Sequence, residues 1–221
     1  MTTPQSSSEK SIRHVDAVVI GAGTAGHNAY RKISKVTDNV VIINEGIWST
    51  TCTTMGCMPS KLLIAAADRA YHASHSDEFG EEGNATINGK QVMKRVQDER
   101  DRFAGFALKS VDSWDENNKI YGRAVFSESG LIEAHTAEGD TQYIKADHII
   151  IATGSKPFVP EGWKLSLGDT LLTSDTIFEL PDLPKSMAVV GAGAIGLELA
   201  QAMSRLGVEV VIFNRNNIVG G

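Results

Sequence analysis

The chain has 221 residues, 42% of them hydrophobic and 22% charged, an ordinary globular composition with room for one large domain or one domain and part of another. Its formal charge of −6, from 21 Lys+Arg against 27 Asp+Glu, offers no basic surface for nucleic acid and no cationic face for a membrane. No apolar stretch reaches the roughly 20 residues of a membrane span, and the polar opening Met1–Lys10 lacks the apolar middle of a secretory signal; a disordered tail over 1–11 and a cytoplasmic location are the expectation.

The first element after the tail is Asp16–Ile20, a short β-branched run suited to a strand buried on both faces. It runs into Gly21-Ala-Gly23-Thr-Ala-Gly26, then a helical stretch to about Lys35, and Val40–Glu45 closes a βαβ unit. Such a turn lets the backbone approach a pyrophosphate at the helix N-terminus, where free N–H groups and the helix dipole favour anions. Glu45 lies nineteen residues beyond Gly26, where a carboxylate can accept hydrogen bonds from a ribose hydroxyl. Strand, turn, helix and acid together predict a dinucleotide site.

Seven residues past Glu45 comes Cys52-Thr-Thr-Met-Gly-Cys57-Met-Pro59-Ser-Lys61, which holds the only two cysteines of the chain. Two thiols without closely spaced histidines are too few for a structural zinc site, so no metal is expected and redox chemistry is favoured. Residues five apart in one helix are roughly 8–9 Å apart at Cα, beyond disulfide reach. A bridge therefore requires Cys52 before the helix and a bend near Gly56. Pro59 suits a first helical turn, which places Cys57 at a helix N-terminus, where the dipole stabilises a thiolate.

A charged helix follows over about Gly89 to Ser113, read as a solvated face. Three short β runs come next, Ile120–Phe126, Leu131–His135 and Tyr143–Ile151, and then a Pro-, Gly- and Asp-rich stretch from Phe158 to Pro184 with little regular structure. The first pattern then returns. Ser186–Val190 leads into Gly191-Ala-Gly193-Ala-Ile-Gly196, a helix with Leu199, Met203 and Leu206 on one face, Gly207 as terminator and Val208–Phe213 as the next strand. Two such turns 170 residues apart mean two dinucleotide sites.

Val18–Gly26, Thr51–Lys61, Ile149-Ile-Ile-Ala152-Thr153-Gly154 and Val189–Ala200 resemble the flavoprotein disulfide reductases, the pyridine nucleotide–disulfide oxidoreductases that include dihydrolipoamide dehydrogenase, glutathione reductase and mercuric reductase. Met58-Pro-Ser-Lys61 looks more like the lipoamide branch. The resemblance implies FAD on Gly21, Gly23, Gly26 and Glu45, with Ala152-Thr153-Gly154 closing the FAD region and Thr51 counted among the cofactor-binding residues. It implies NAD or NADP on Gly191, Gly193 and Gly196, with Glu198 towards the nicotinamide. It further implies Cys52 as the thiol that exchanges with a small dithiol or disulfide substrate, Cys57 as the thiolate against the flavin, and Lys61 beside the ring. A homodimer is implied for the full-length family.

The resemblance also exposes departures. The family's general base is a His–Glu pair in a longer chain, and no His follows Gly196 here. The chain is accordingly expected to be incomplete, with a second domain short of strands and an exposed, aggregation-prone sheet edge. Ile212-Phe-Asn214-Arg215 ends the last strand without the acid that selects NAD. Asn214 is read in the place of that acid, and Arg215 as a candidate partner for a 2′-phosphate.

The expected fold is α/β. A Rossmann-like FAD domain over 12–154 carries a parallel sheet, a small antiparallel meander and the redox cysteines. A linker over 155–185 joins it to the start of a second Rossmann-like NAD(P) domain at 186–221. The rival functions are a mercuric or peroxide reductase on the same scaffold, and a flavin-binding fragment without turnover.

Overall fold

Strand β1 (Ile12–Ile20) is the backbone of the first half of the chain. It pairs in parallel with β2 (Val40–Asn44) on one side, Ile20 opposite Ile43. On the other it pairs in parallel with β5 (Thr141–Ile151), from Ile12 opposite Tyr143 to Ile20 opposite Ile151. β2 continues in parallel to β3 (Lys119–Phe126). From there β4 (Ile132–Thr136) returns antiparallel, and its other edge pairs antiparallel with the first residues of β5. The five strands close into a ring in which the antiparallel meander joins the two outer strands of a parallel sheet. The fold is α/β, as the alternation of runs predicts, with the meander built into the sheet itself.

The computed structural model describes residues 11–76, 80, 83, 86–215 and 219–220; the polar tail, apart from Ser11, lies outside them. Ala17–Ile20 of β1 and Val40–Ile43 of β2 are unbroken apolar runs because both faces are covered. Val18, Ile20, Val41 and Ile43 pack with Ile120, Ile132, Ala134 and Ile144. Val19, Val40 and Ile42 face the opposite way, against Tyr30, Trp48 and Val111. Helix α1 (Thr24–Ile33) supplies Tyr30.

The remaining helices are α2 (Thr51–Thr54), α3 (Cys57–Ser74) and α4 (Gly89–Asp112), then the short α5 (Trp163–Leu167) and α6 (Ala194–Arg205). The chain divides into two compact units, one of residues up to Thr50 and 107–155, the other of 51–106 and 156 onward. In the second, β6 (Ser186–Val190) and β7 (Glu209–Phe213) form a parallel pair around α6. Its core gathers Leu63 and Ala67 of α3, Met93 and Val96 of α4, and Leu199, Met203 and Leu206 at and just after α6. The stretch before β6 has only single-turn helices, yet it contributes the buried Ile177 and Phe178 to this core. Gln97 holds it there by donating to the carbonyls of Phe178 and Leu180 at 3.0 and 3.1 Å.

Candidate active site

In the first unit the turn after β1 is defined by three glycines with different tasks. Gly21 has φ +104°, and a Cβ there would lie 2.3 Å from the Ala152 carbonyl oxygen. A Cβ on Gly26 would lie 1.8 Å from the Gly21 carbonyl oxygen, so α1 can sit this close to the turn only with glycine. Beside Gly23, by contrast, the space a Cβ would fill is open. Gly23 begins α1 with no side chain capping it, so the first helical N–H groups keep their donor capacity. Ala152 and Thr153 follow β5 directly and border Gly21, and Gly154 turns the chain with φ +70°.

Glu45 is exposed at the end of β2. Next to it, Asn44 accepts the Ala22 N–H through Oδ1 at 2.9 Å and donates from Nδ2 to the Ile47 carbonyl at 3.1 Å. Asn44 therefore ties the glycine turn to the residues beyond β2. Sequence reading missed it; an amide one residue before Glu45 was the available signal. His27, on the first turn of α1, is buried with its ring 5.0 Å from Trp114. Its Nε2 has no hydrogen-bond partner among the described residues. Burial pulls the His27 pKa below the ordinary histidine value, opposed by the backbone of Trp48 and Ala22.

The second unit repeats this turn. Gly191 has φ +109°, a Cβ on Gly196 would lie 2.2 Å from the Gly191 carbonyl oxygen, and the space beside Gly193 is open. Gly193 begins α6, again without a side-chain cap.

The cysteines belong to the same unit. Cys52 lies in the one-turn helix α2, ahead of α3 as expected, and the chain bends through Met55 and Gly56 before α3 opens at Cys57. The bend near Gly56 is the expected one; a Cβ on Gly56 would lie 2.9 Å from the Thr51 carbonyl oxygen. Both cysteines are free thiols, Cys52 half-buried and Cys57 exposed. They are in contact: a hydrogen bond to Cys57, helped by burial, pushes the Cys52 thiol above the ordinary cysteine pKa. The backbone N–H groups of Cys57 and Met58 pull the other way. Those donors at the head of α3 thus address the Cys52 sulfur, a partner that reading Cys57 as the beneficiary of the helix dipole did not anticipate.

Lys61, one turn into α3, reaches Glu198 of α6, Nζ to Oε2 at 2.6 Å. The Lys61 ammonium, joined by the Ser60 hydroxyl, holds the Glu198 carboxyl below its ordinary pKa against some burial. The two side chains were separate candidates in the sequence; the structure makes them a pair. Thr51 begins α2, and Arg215 is exposed two residues past β7.

Residues 15–220 match the family described as pyridine nucleotide-disulphide oxidoreductase. The chain belongs to that family. Its members use FAD and NAD(P)H. Among curated proteins it is 36% identical over 202 residues to a dihydrolipoyl dehydrogenase of Chlamydia pneumoniae, covering 89% of this chain and 42% of that protein. It is 31% identical over 214 residues to a mercuric reductase of Streptomyces lividans, covering 92% and 43%. Among solved structures, the HOCl-induced flavoprotein disulfide reductase RclA of Escherichia coli in its Cu(II) complex superposes with a TM-score of 0.76 at 22% identity, over 93% of this chain and 43% of that one. The family member described here thus spans less than half the length of these relatives. No described helix is long and apolar enough to cross a membrane.

Proposed function

We propose that this chain carries the disulfide and the two dinucleotide sites of a dihydrolipoamide dehydrogenase-type oxidoreductase, in which Cys52 and Cys57 cycle between dithiol and disulfide. The observation that carries the reading is the contact of two free thiols at the bend before α3. In the oxidised form a thiolate of a small dithiol of the lipoamide type attacks Cys52 sulfur. The Cys52–Cys57 bond breaks and Cys57 leaves as a thiolate at the head of α3. The second substrate thiol then displaces Cys52, so the substrate ends as a disulfide and the protein as a dithiol. Helix donors facing the Cys52 sulfur stabilise it when it departs as a thiolate in that second step.

For FAD the residues fit. The open space beside Gly23, the uncapped start of α1 and the exposed Glu45 suit a pyrophosphate followed by a ribose. When bound, FAD supplies a two-electron carrier between the cysteine pair and a nicotinamide. Gly191, Gly193 and Gly196 would hold that nicotinamide dinucleotide. The Lys61–Glu198 pair fixes α3 against α6 within one unit, which keeps Lys61 at a set position relative to Cys57 one turn before it. A homodimer belongs to the same proposal for the whole protein.

The test is the visible spectrum of the purified chain with FAD, before and after stoichiometric dithiothreitol. A long-wavelength absorbance that appears on reduction, and is missing in Cys57→Ser, is the expected result. Bound flavin without that absorbance would remove the cysteines from the redox role.

A further inference from the structure

The two glycine turns can be aligned by their hydrogen bonds, without reference to any other protein. The Gly21 N–H donates to the Ile43 carbonyl at 2.8 Å, and the Gly191 N–H donates to the Phe213 carbonyl at 2.8 Å. The strand registers agree, Ile20 opposite Ile43 and Val190 opposite Phe213. Ile43 therefore corresponds to Phe213, Asn44 to Asn214, and Glu45 to Arg215. Spacing gives the same answer, because Gly26 to Glu45 and Gly196 to Arg215 are both nineteen residues. The sequence alone put Asn214 in the place of the acid. The structure puts Arg215 there, and Asn214 matches the other asparagine, Asn44, whose side chain braces the first turn.

We infer that the second turn binds a dinucleotide carrying a 2′-phosphate on its adenosine ribose, NADP(H), and that Arg215 is the side chain that reads the phosphate. The inference rests on the reading that this turn holds a nicotinamide dinucleotide, and names which one. At the first turn a carboxylate is in place to accept from ribose hydroxyls. At the second the same position carries a guanidinium, which has five donors and no acceptor. It cannot take a hydrogen bond from a 2′-hydroxyl, but its planar cationic fork matches a phosphate. Residues 210–215 that lead to and include this position contain neither Asp nor Glu. Nor does an ion pair engage Arg215 among the described residues. Its exposure suits this task, because a phosphate arriving from solvent must reach it. The rest of the turn fits a dinucleotide: Gly193 leaves open the space that a Cβ would fill, and α6 begins there uncapped.

Equilibrium binding to the whole chain tests this without any turnover. NADPH and NADH are titrated separately by their own fluorescence, with 2′,5′-ADP and 5′-AMP as competitors, and FAD binding is measured in parallel. NADPH should bind roughly 10- to 100-fold more tightly than NADH, the scale of one hydrogen-bonded charge pair, and 2′,5′-ADP should compete where 5′-AMP does not. Arg215→Gln should erase most of the preference, and Arg215→Glu, which gives the second turn the charge of the first, should turn it towards NADH. Equal binding of the two nucleotides, or tighter NADH, overturns the inference and leaves the dinucleotide reading intact. Binding of neither nucleotide by a chain that still binds FAD overturns both.

Discussion

The two βαβ turns of this chain have the same backbone and different surroundings. Both begin on a glycine with positive φ, both bring the third glycine so close to the first that a Cβ would overlap a carbonyl oxygen, and both leave the second glycine facing open space. Around that shared frame the residues diverge. Gly21 is pressed against the backbone of Ala152, while among the described residues no atom approaches within 4 Å of a Cβ built on Gly191. The residue after the third glycine is the buried His27 in one turn and Leu197 in the other. Glu45 in one becomes Arg215 in the other. The comparison separates what the turn needs in order to exist, which is repeated, from what a turn needs to choose its ligand, which is not.

The largest effect that could break this comparison is steric. Gly191→Ala should cost about 1–3 kcal/mol for forcing an L side chain into its φ. Gly21→Ala meets the same strain and must also displace the Ala152 backbone, adding about 1–3 kcal/mol of overpacking. Hydrogen exchange of β1 and β6 peptides measures each. Equal losses of protection would mean that the close approach of Ala152 contributes nothing to the first turn.

Asn44→Ala comes next. It removes the acceptor for the Ala22 N–H and the donor to the Ile47 carbonyl, and should cost about 1–3 kcal/mol because Ala22 is fully buried and its amide is left unpaired. Faster exchange of the Ala22 amide reports it directly; unchanged exchange would show that the brace is dispensable.

The smallest effect is in pH. Burial lowers the His27 pKa, so the unfolded chain takes up the proton first as the pH falls below about 6.5. The stability contributed by keeping His27 neutral is present above that pH and is lost as the pH falls through the lower, folded value. His27→Leu copies the second turn and should flatten the fall in Tm between pH 7 and pH 5. The same slope in both proteins would assign the acid sensitivity to other groups.

Much of this was legible in the sequence because its signals are local. β6 has the bounds that its apolar run predicted, and β2 and β7 are each within one residue of theirs. Features set by distant partners were not legible. β1 starts at Ile12, ahead of the apolar run, because Ile12–Val15 pair with residues 143–146 of β5, and Arg13 and His14 conceal that stretch from a period-two reading. Buried Ile177 and Phe178 sit in a stretch that composition marks as a loop; the carbonyls held by Gln97 give no sequence signal. In the site, Cys52, Cys57, Lys61 and Glu198 were each nameable from motifs. The contact of Lys61 with a residue 137 positions away required the fold, and so did the equivalence of Arg215 and Glu45, which depends on strand register.

Strand β5 carries a consequence for how the molecule is made. Its first residues complete the meander with β4, and its full length flanks β1. The pairing of Ile20 with Ile151 spans 131 residues of chain, so the first strand of the ring waits for its last. At about 5–20 residues per second that wait is on the order of ten seconds, during which β1 has one edge unpaired. Contacts of such long range also fold slowly. The apolar run of β1 thus keeps an open edge during that interval, and slowing synthesis before residue 151 should lower the soluble yield of this chain more than slowing it afterwards.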